Sequence, residues 1–162
     1  MFKRSGALYL GLVFTTTLLV GCGQGMDHMY SEIDPNHSFS SNGERIYFTG
    51  KNGAGEIITF TGGGMRSRMH SNTCASCHGN DRAGGRRMYP TFWVTTPALT
   101  AEALFGDHDD THGDHDSYTK ESLKAAIEQG LEPSGHKLNS TMPRWVMSDS
   151  DLDDVVDYLS SL

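Results

Sequence analysis

Cysteine is scarce in this chain: the 162 residues contain three, at positions 22, 74 and 77. That excludes a disulfide-built domain and a four-thiolate zinc site. Cations are in deficit too, with 13 Lys and Arg against 20 Asp and Glu and a formal charge of -7 at pH 7. Nucleic acid demands clustered Lys and Arg to neutralise phosphate, so that class of partner is also excluded. No segment repeats. The longest uncharged apolar run, Gly6 to Val20, is shorter than the roughly 20 residues that a bilayer-crossing helix needs. The length suits one domain with a modest core, and a large rigid cofactor would add apolar surface for that core to pack on.

The first residues are organised as a targeting segment. Lys3 and Arg4 form a short positive region and the apolar run follows, as in a secretory signal. It ends in Leu19-Val20-Gly21-Cys22, which resembles the lipobox of bacterial lipoproteins. The resemblance implies cleavage before Cys22 and acylation of both its thiol and its new amino group. Two or more acyl chains hold a protein at a membrane essentially permanently. An ordinary signal peptide and an uncleaved signal anchor are the alternatives, and all three readings put the domain outside the cytoplasm. Gly23 after the cysteine resembles the sorting signal for the outer membrane, facing the periplasm, in cells with two membranes. Loss of Lys3 and Arg4 takes the charge from -7 to -9.

Residues 1–21 are thus expected to be a signal peptide, 22–40 a flexible polar tether, and 41–162 the folded domain. Ser41-Asn42-Gly43-Glu44 has capping-box form and predicts a short helix ending at Gly50. Ile57-Ile58-Thr59-Phe60 favours extended structure and predicts a small hairpin or loop, with Gly62 to Gly64 as a turn. Thr100 is placed to cap a short helix through Phe105, and Thr119 a longer one ending at Gly130. Ser148 opens the last helix, in which Leu152, Val155, Val156, Leu159 and Leu162 form one apolar stripe.

Cys74-Ala75-Ser76-Cys77-His78 is the attachment signature for a covalent haem. Two thiols three residues apart on one turn can each reach a vinyl group on one porphyrin edge, and the adjacent His can offer a nitrogen to iron. A zinc site would need a fourth ligand, and a thioredoxin-like pair would need a βαβ setting that is absent. A disulfide across two residues would leave His78 without a role. For the sixth iron position the choice is Met142, whose thioether favours ferrous iron and whose loop Pro143 would stiffen. Met147 and Met88 are the next candidates, while Met65, Met69 and His70 are expected to line the haem edge.

These features resemble a class I cytochrome c domain over about Ser41 to Leu162: a helix with glycine and aromatics, CxxCH, a late methionine loop, and a terminal amphipathic helix. The resemblance implies an all-α fold around one haem, here with the β insert before the haem motif. It also implies a crossing of the first and last helices at Gly43 and Tyr158. Pro97, in Pro97-Ala98-Leu99 with Thr96 where the family has glycine, would offer its carbonyl to His78 and raise its basicity; Pro90 is the alternative. The implied activity is single-electron transfer between membrane-associated redox proteins, without enzymatic turnover. Peroxidases of this architecture generally carry two such motifs. Partners would dock at the haem edge, through a basic patch that suits the acidic surface.

Competing functions are a haem-based sensor with a labile sixth position and a metal-handling protein. The second rests on Asp107 to Asp116, where His108, His112 and His115 stand among five aspartates; a solvated acidic loop is the plainer reading. Trp145, Trp93, Tyr118 and Tyr89 are expected in the pocket wall or core. One of Arg82, Arg86 and Arg87 could pair with a haem propionate, or all three could be surface residues.

Overall fold

The computed structural model describes residues 37–69, 73–88, 93–106 and 116–161. Among them the chain forms helices α1 (Asn42–Thr49), α2 (Met65–Met69), α3 (Ala75–His78), α4 (Ala101–Phe105), α5 (Lys120–Glu128) and α6 (Asp149–Ser160), with strands β1 (Thr59–Gly62) and β2 (Pro143–Val146). The signal segment, Cys22, and the Asp/His run with His108, His112 and His115 lie outside the described residues. No helix among the described residues is long and apolar enough to cross a membrane.

The helices begin and end where side chains can satisfy their free backbone groups. Ser41 Oγ accepts the Glu44 N–H at 3.0 Å, and Gly50 closes α1 in the left-handed region at φ 64°. The Glu44 carboxylate does not return to Ser41 as a capping box requires. It accepts from the backbone and hydroxyl of Ser40 instead. Residues 37–40, assigned to the tether by composition, lie against α1: the His37 and Phe39 rings are 4.8 Å apart, and the Arg45 guanidinium sits 4.7 Å over Phe39. Thr119 and Ser122 cap α5 reciprocally, and Ser148 accepts the Asp151 N–H at the start of α6. Asp149 and Asp151 in that first turn complement the helix dipole.

The central packing is α1 across α6. Ile46 and Tyr47 meet the buried stripe of Leu152, Val155, Val156 and Leu159. At the crossing, a Cβ on Gly43 would stand on the carbonyl of Asp154 and the nitrogen of Val155, so glycine is what lets the two backbones touch. The contact expected between Gly43 and Tyr158 is therefore glycine to backbone. The Tyr158 ring stands against Tyr47, with centroids 5.5 Å apart. A polar seam closes one edge, where Asn42 donates to Asp151 at 2.9 Å and to Asp154 at 2.7 Å. Lys120 to Asp157 at 2.7 Å, and Lys124 to Asp153, link α5 to α6 at the surface.

The fold is helical with a small β insert, as expected, and the insert's strand finds its partner far along the chain. Local pairing within it is a single bridge from Lys51 to Ile57. Strand β1 pairs antiparallel with β2, more than eighty residues later, in the register Thr59 to Val146, Phe60 to Trp145 and Gly62 to Pro143. A period-two pattern marks a strand but does not say which strand it meets. Pro143 opens β2, a position where its missing N–H disrupts no ladder.

Candidate haem site

Helix α3 is one turn long, and that turn arranges the chemistry. The His78 N–H bonds the Cys74 carbonyl at 2.9 Å, which sets Cys74, Cys77 and His78 along one wall of a cavity lined mostly by apolar atoms. Gly79, at φ 86°, ends the turn. The buried Tyr47 hydroxyl donates to the Gly79 carbonyl at 2.6 Å, so α1 holds the exit of the motif.

The imidazole is oriented by one hydrogen bond. His78 Nδ1 stands 2.9 Å from the Pro97 carbonyl oxygen. A carbonyl can only accept, so Nδ1 carries the proton and Nε2 keeps its lone pair. Burial holds the imidazole below its ordinary pKa, with the Pro97 carbonyl acting the other way. The ring is thus neutral, as a metal ligand must be. Thr96, where the family pattern has glycine, is itself a connector. Its hydroxyl donates to the Cys77 carbonyl at 3.0 Å and accepts the Arg86 N–H at 3.1 Å. Gly84, at φ 68°, lies against the same carbonyls, and a Cβ there would overlap Pro97 O.

Met142, half-buried in the Leu138–Pro143 segment, lines another part of the same cavity. Met88 and Met147, the other candidates, line the same cavity. Trp145 is buried, with its ring 5.4 Å from Phe60, and Tyr118 also borders the cavity. Arg144 anchors the Met142 segment, donating to the Met142 carbonyl at 2.7 Å and the Leu138 carbonyl at 3.1 Å. No sequence signal distinguished it.

Other expectations are corrected. Trp93 is 81 % exposed and does not line the pocket. Trp93 lies in a turn, and the cavity is lined from the next residue, Val94, onward. Met65 is exposed, and Ser67 of the same helix borders the cavity instead. Arg82 donates to the Tyr158 and Ser161 carbonyls at the end of α6, and Arg86 to the Ser76 carbonyl at 2.8 Å. Arg87 is exposed. His70, Tyr89 and Pro90 lie outside the described residues.

Burial and the neighbouring Cys77 push the Cys74 thiol up to about 12. Such a thiol stays protonated at neutral pH, unlike the low-pKa thiolate of a dithiol redox enzyme. Among the described residues no group of three His, Cys, Asp or Glu is arranged to hold a metal ion. The residues do fit a haem. Two thiols and a neutral imidazole lie together, and the rest of the cavity lining is mostly apolar. The Ser67 hydroxyl, 5 % exposed on the cavity wall, has no hydrogen-bond partner among the described residues. A buried orphan hydroxyl is unfavourable by about 1–3 kcal/mol unless a bound group satisfies it.

Fold and site together define a small helical protein built to hold a covalent tetrapyrrole. A family model described as Cytochrome c matches residues 66–162, and the chain belongs to that family. The family holds haem c, and Cys74, Cys77 and His78 supply its CxxCH motif. Helix α1 precedes the matched stretch. No curated protein and no solved structure gives a match.

Proposed function

We propose that this cytochrome c is an exported, lipid-anchored carrier of single electrons, with one haem ligated by His78 and Met142. The observation that carries the reading is the pairing of a neutral, carbonyl-oriented His78 with Met142 in one cavity. When bound, the haem supplies a one-electron iron couple. The chain's own residues do the rest. Cys74 and Cys77 would retain the group, the Pro97 carbonyl would keep Nε2 of His78 as the donor atom, and the mostly apolar lining would keep water from the metal. A thioether opposite an imidazole leaves no vacant position for substrate, which is why the reading is a carrier and not an enzyme.

Acylation at Cys22 would tether the domain to a membrane, with the outer membrane favoured where a cell has two. That raises the effective concentration of the carrier near membrane-bound partners. The excess of acidic residues supports partners that dock near the haem edge through a basic patch. The absorption spectrum in both oxidation states tests the ligation. The oxidised protein should show the weak red band of iron–thioether bonding, and Met142→Ala should abolish it. A five-coordinate ferrous haem that binds carbon monoxide in the wild type would overturn the carrier reading and favour a ligand-binding sensor.

A further inference from the structure

Arg144 sits two residues beyond Met142, yet its side chain turns back on the loop that presents it. Two nitrogens of the fork are used at once: Nη1 donates to the carbonyl of Met142 itself at 2.7 Å, and Nη2 to the Leu138 carbonyl at 3.1 Å. The loop is thereby closed across its base by a planar group, and only arginine offers two donors in that fixed geometry. Space for the guanidinium is provided by Gly130, where any Cβ would overlap its Nε and Cζ. The backbone of Arg144 is fixed independently, in the β2 ladder opposite Thr61. Among the described residues no carboxylate pairs with Arg144, so its hydrogen bonds go to the loop carbonyls.

We infer that Arg144, seated on Gly130, is the positioning residue that holds Met142 on the iron against competing ligands. The inference deepens the His78/Met142 reading and rests on it. The fork prevents the loop from swinging away, so an incoming ligand must break both hydrogen bonds before it can take the position.

The test is imidazole titration of the ferric holoprotein, followed by the loss of the red thioether band. Arg144→Lys keeps the positive charge and loses the fork. It should bind imidazole roughly tenfold more tightly than the wild type, the equivalent of one charge-assisted hydrogen bond, with haem content and helical signal unchanged. Gly130→Asn is the second variant. Asparagine tolerates the positive φ of 68° found there, but its Cβ takes the place of the guanidinium, and imidazole affinity should rise likewise. Wild-type imidazole affinity in both variants would overturn the inference, even if both unfold more easily, because that pattern is a structural role alone. A wild type that lacks the thioether band, with a spectrum unchanged in Met142→Ala, would instead sink the ligand reading and take the inference with it. That outcome is recognised without any Arg144 variant.

Discussion

The two walls of the haem cavity are built in different ways. The His78 wall is mostly local: apart from the Tyr47 bond to Gly79, its connections run among Cys77, His78, Gly84, Arg86, Thr96 and Pro97, within about twenty residues of chain. Its hydrogen bonds use backbone groups, the Thr96 hydroxyl, the His78 imidazole and the Arg86 guanidinium on Ser76, with the Tyr47 hydroxyl of α1 reaching in to Gly79. The Met142 wall is assembled from distant parts: β1 of the insert, Gly130 beyond α5, and a guanidinium from β2. A wall closed by long-range contacts and one side-chain fork opens before a wall laced by short-range bonds and covalently attached to the cofactor. On the proposed ligation, the methionine side would be the exchangeable one and the His78 side the fixed one.

The largest effect that would sharpen this contrast comes from Thr96. Thr96→Val leaves the Cys77 carbonyl and the Arg86 N–H without their partner in a buried site, and should remove about 2 kcal/mol from the unfolding free energy of the holoprotein. Thr96→Ser should restore most of it. Imidazole affinity should not change in either, because the Met142 wall is untouched. A Thr96→Val protein that takes up imidazole readily would break the comparison.

Phe60→Ala works from the other side. It removes the ring against Trp145 beneath the β1–β2 ladder. The loss of stability should be smaller, about 1 kcal/mol for a half-buried ring, yet exogenous ligands should bind more tightly. Unchanged ligand affinity beside a clear drop in denaturation midpoint would count against the insert as part of the Met142 wall.

Ser67→Ala should give the smallest effect and the most diagnostic sign. The haem-free protein should gain up to about 1 kcal/mol, because an orphan hydroxyl is removed, while the haem-loaded protein should lose a comparable amount. Denaturant titration of both forms measures the two signs. The same sign in both would mean that the hydroxyl finds no partner on the cofactor.

What was legible in the sequence follows the same division. Ser41, Thr100, Thr119 and Ser148 announced their helices because caps act within four residues. The stripe from Leu152 to Leu159 and the CxxCH turn were readable for the same local reason. Pro97 was found through resemblance, and its carbonyl stands within bonding distance of His78. Ser67 carried no signal because its place on the cavity wall is set by packing, and Arg144 carried none because its fork folds back on its own loop only with β2 paired to β1 and with space at Gly130. The partner of Ile57 to Phe60 is invisible because it lies in a remote segment, and Trp93 faces outward from a turn that precedes the cavity-lining residues, a cavity the sequence does not display.

The ladder between β1 and β2 also orders events in time. Its two halves stand at residues 59–62 and 143–146, so it closes only after nearly the whole chain has emerged. Closing so long a loop must await the contacts that compensate its entropy. The segment from Thr73 to Leu99 has no such requirement. As the chain folds, the attachment thiols, His78 and its Pro97 carbonyl can come together before the methionine side, whose strand pairing must close last.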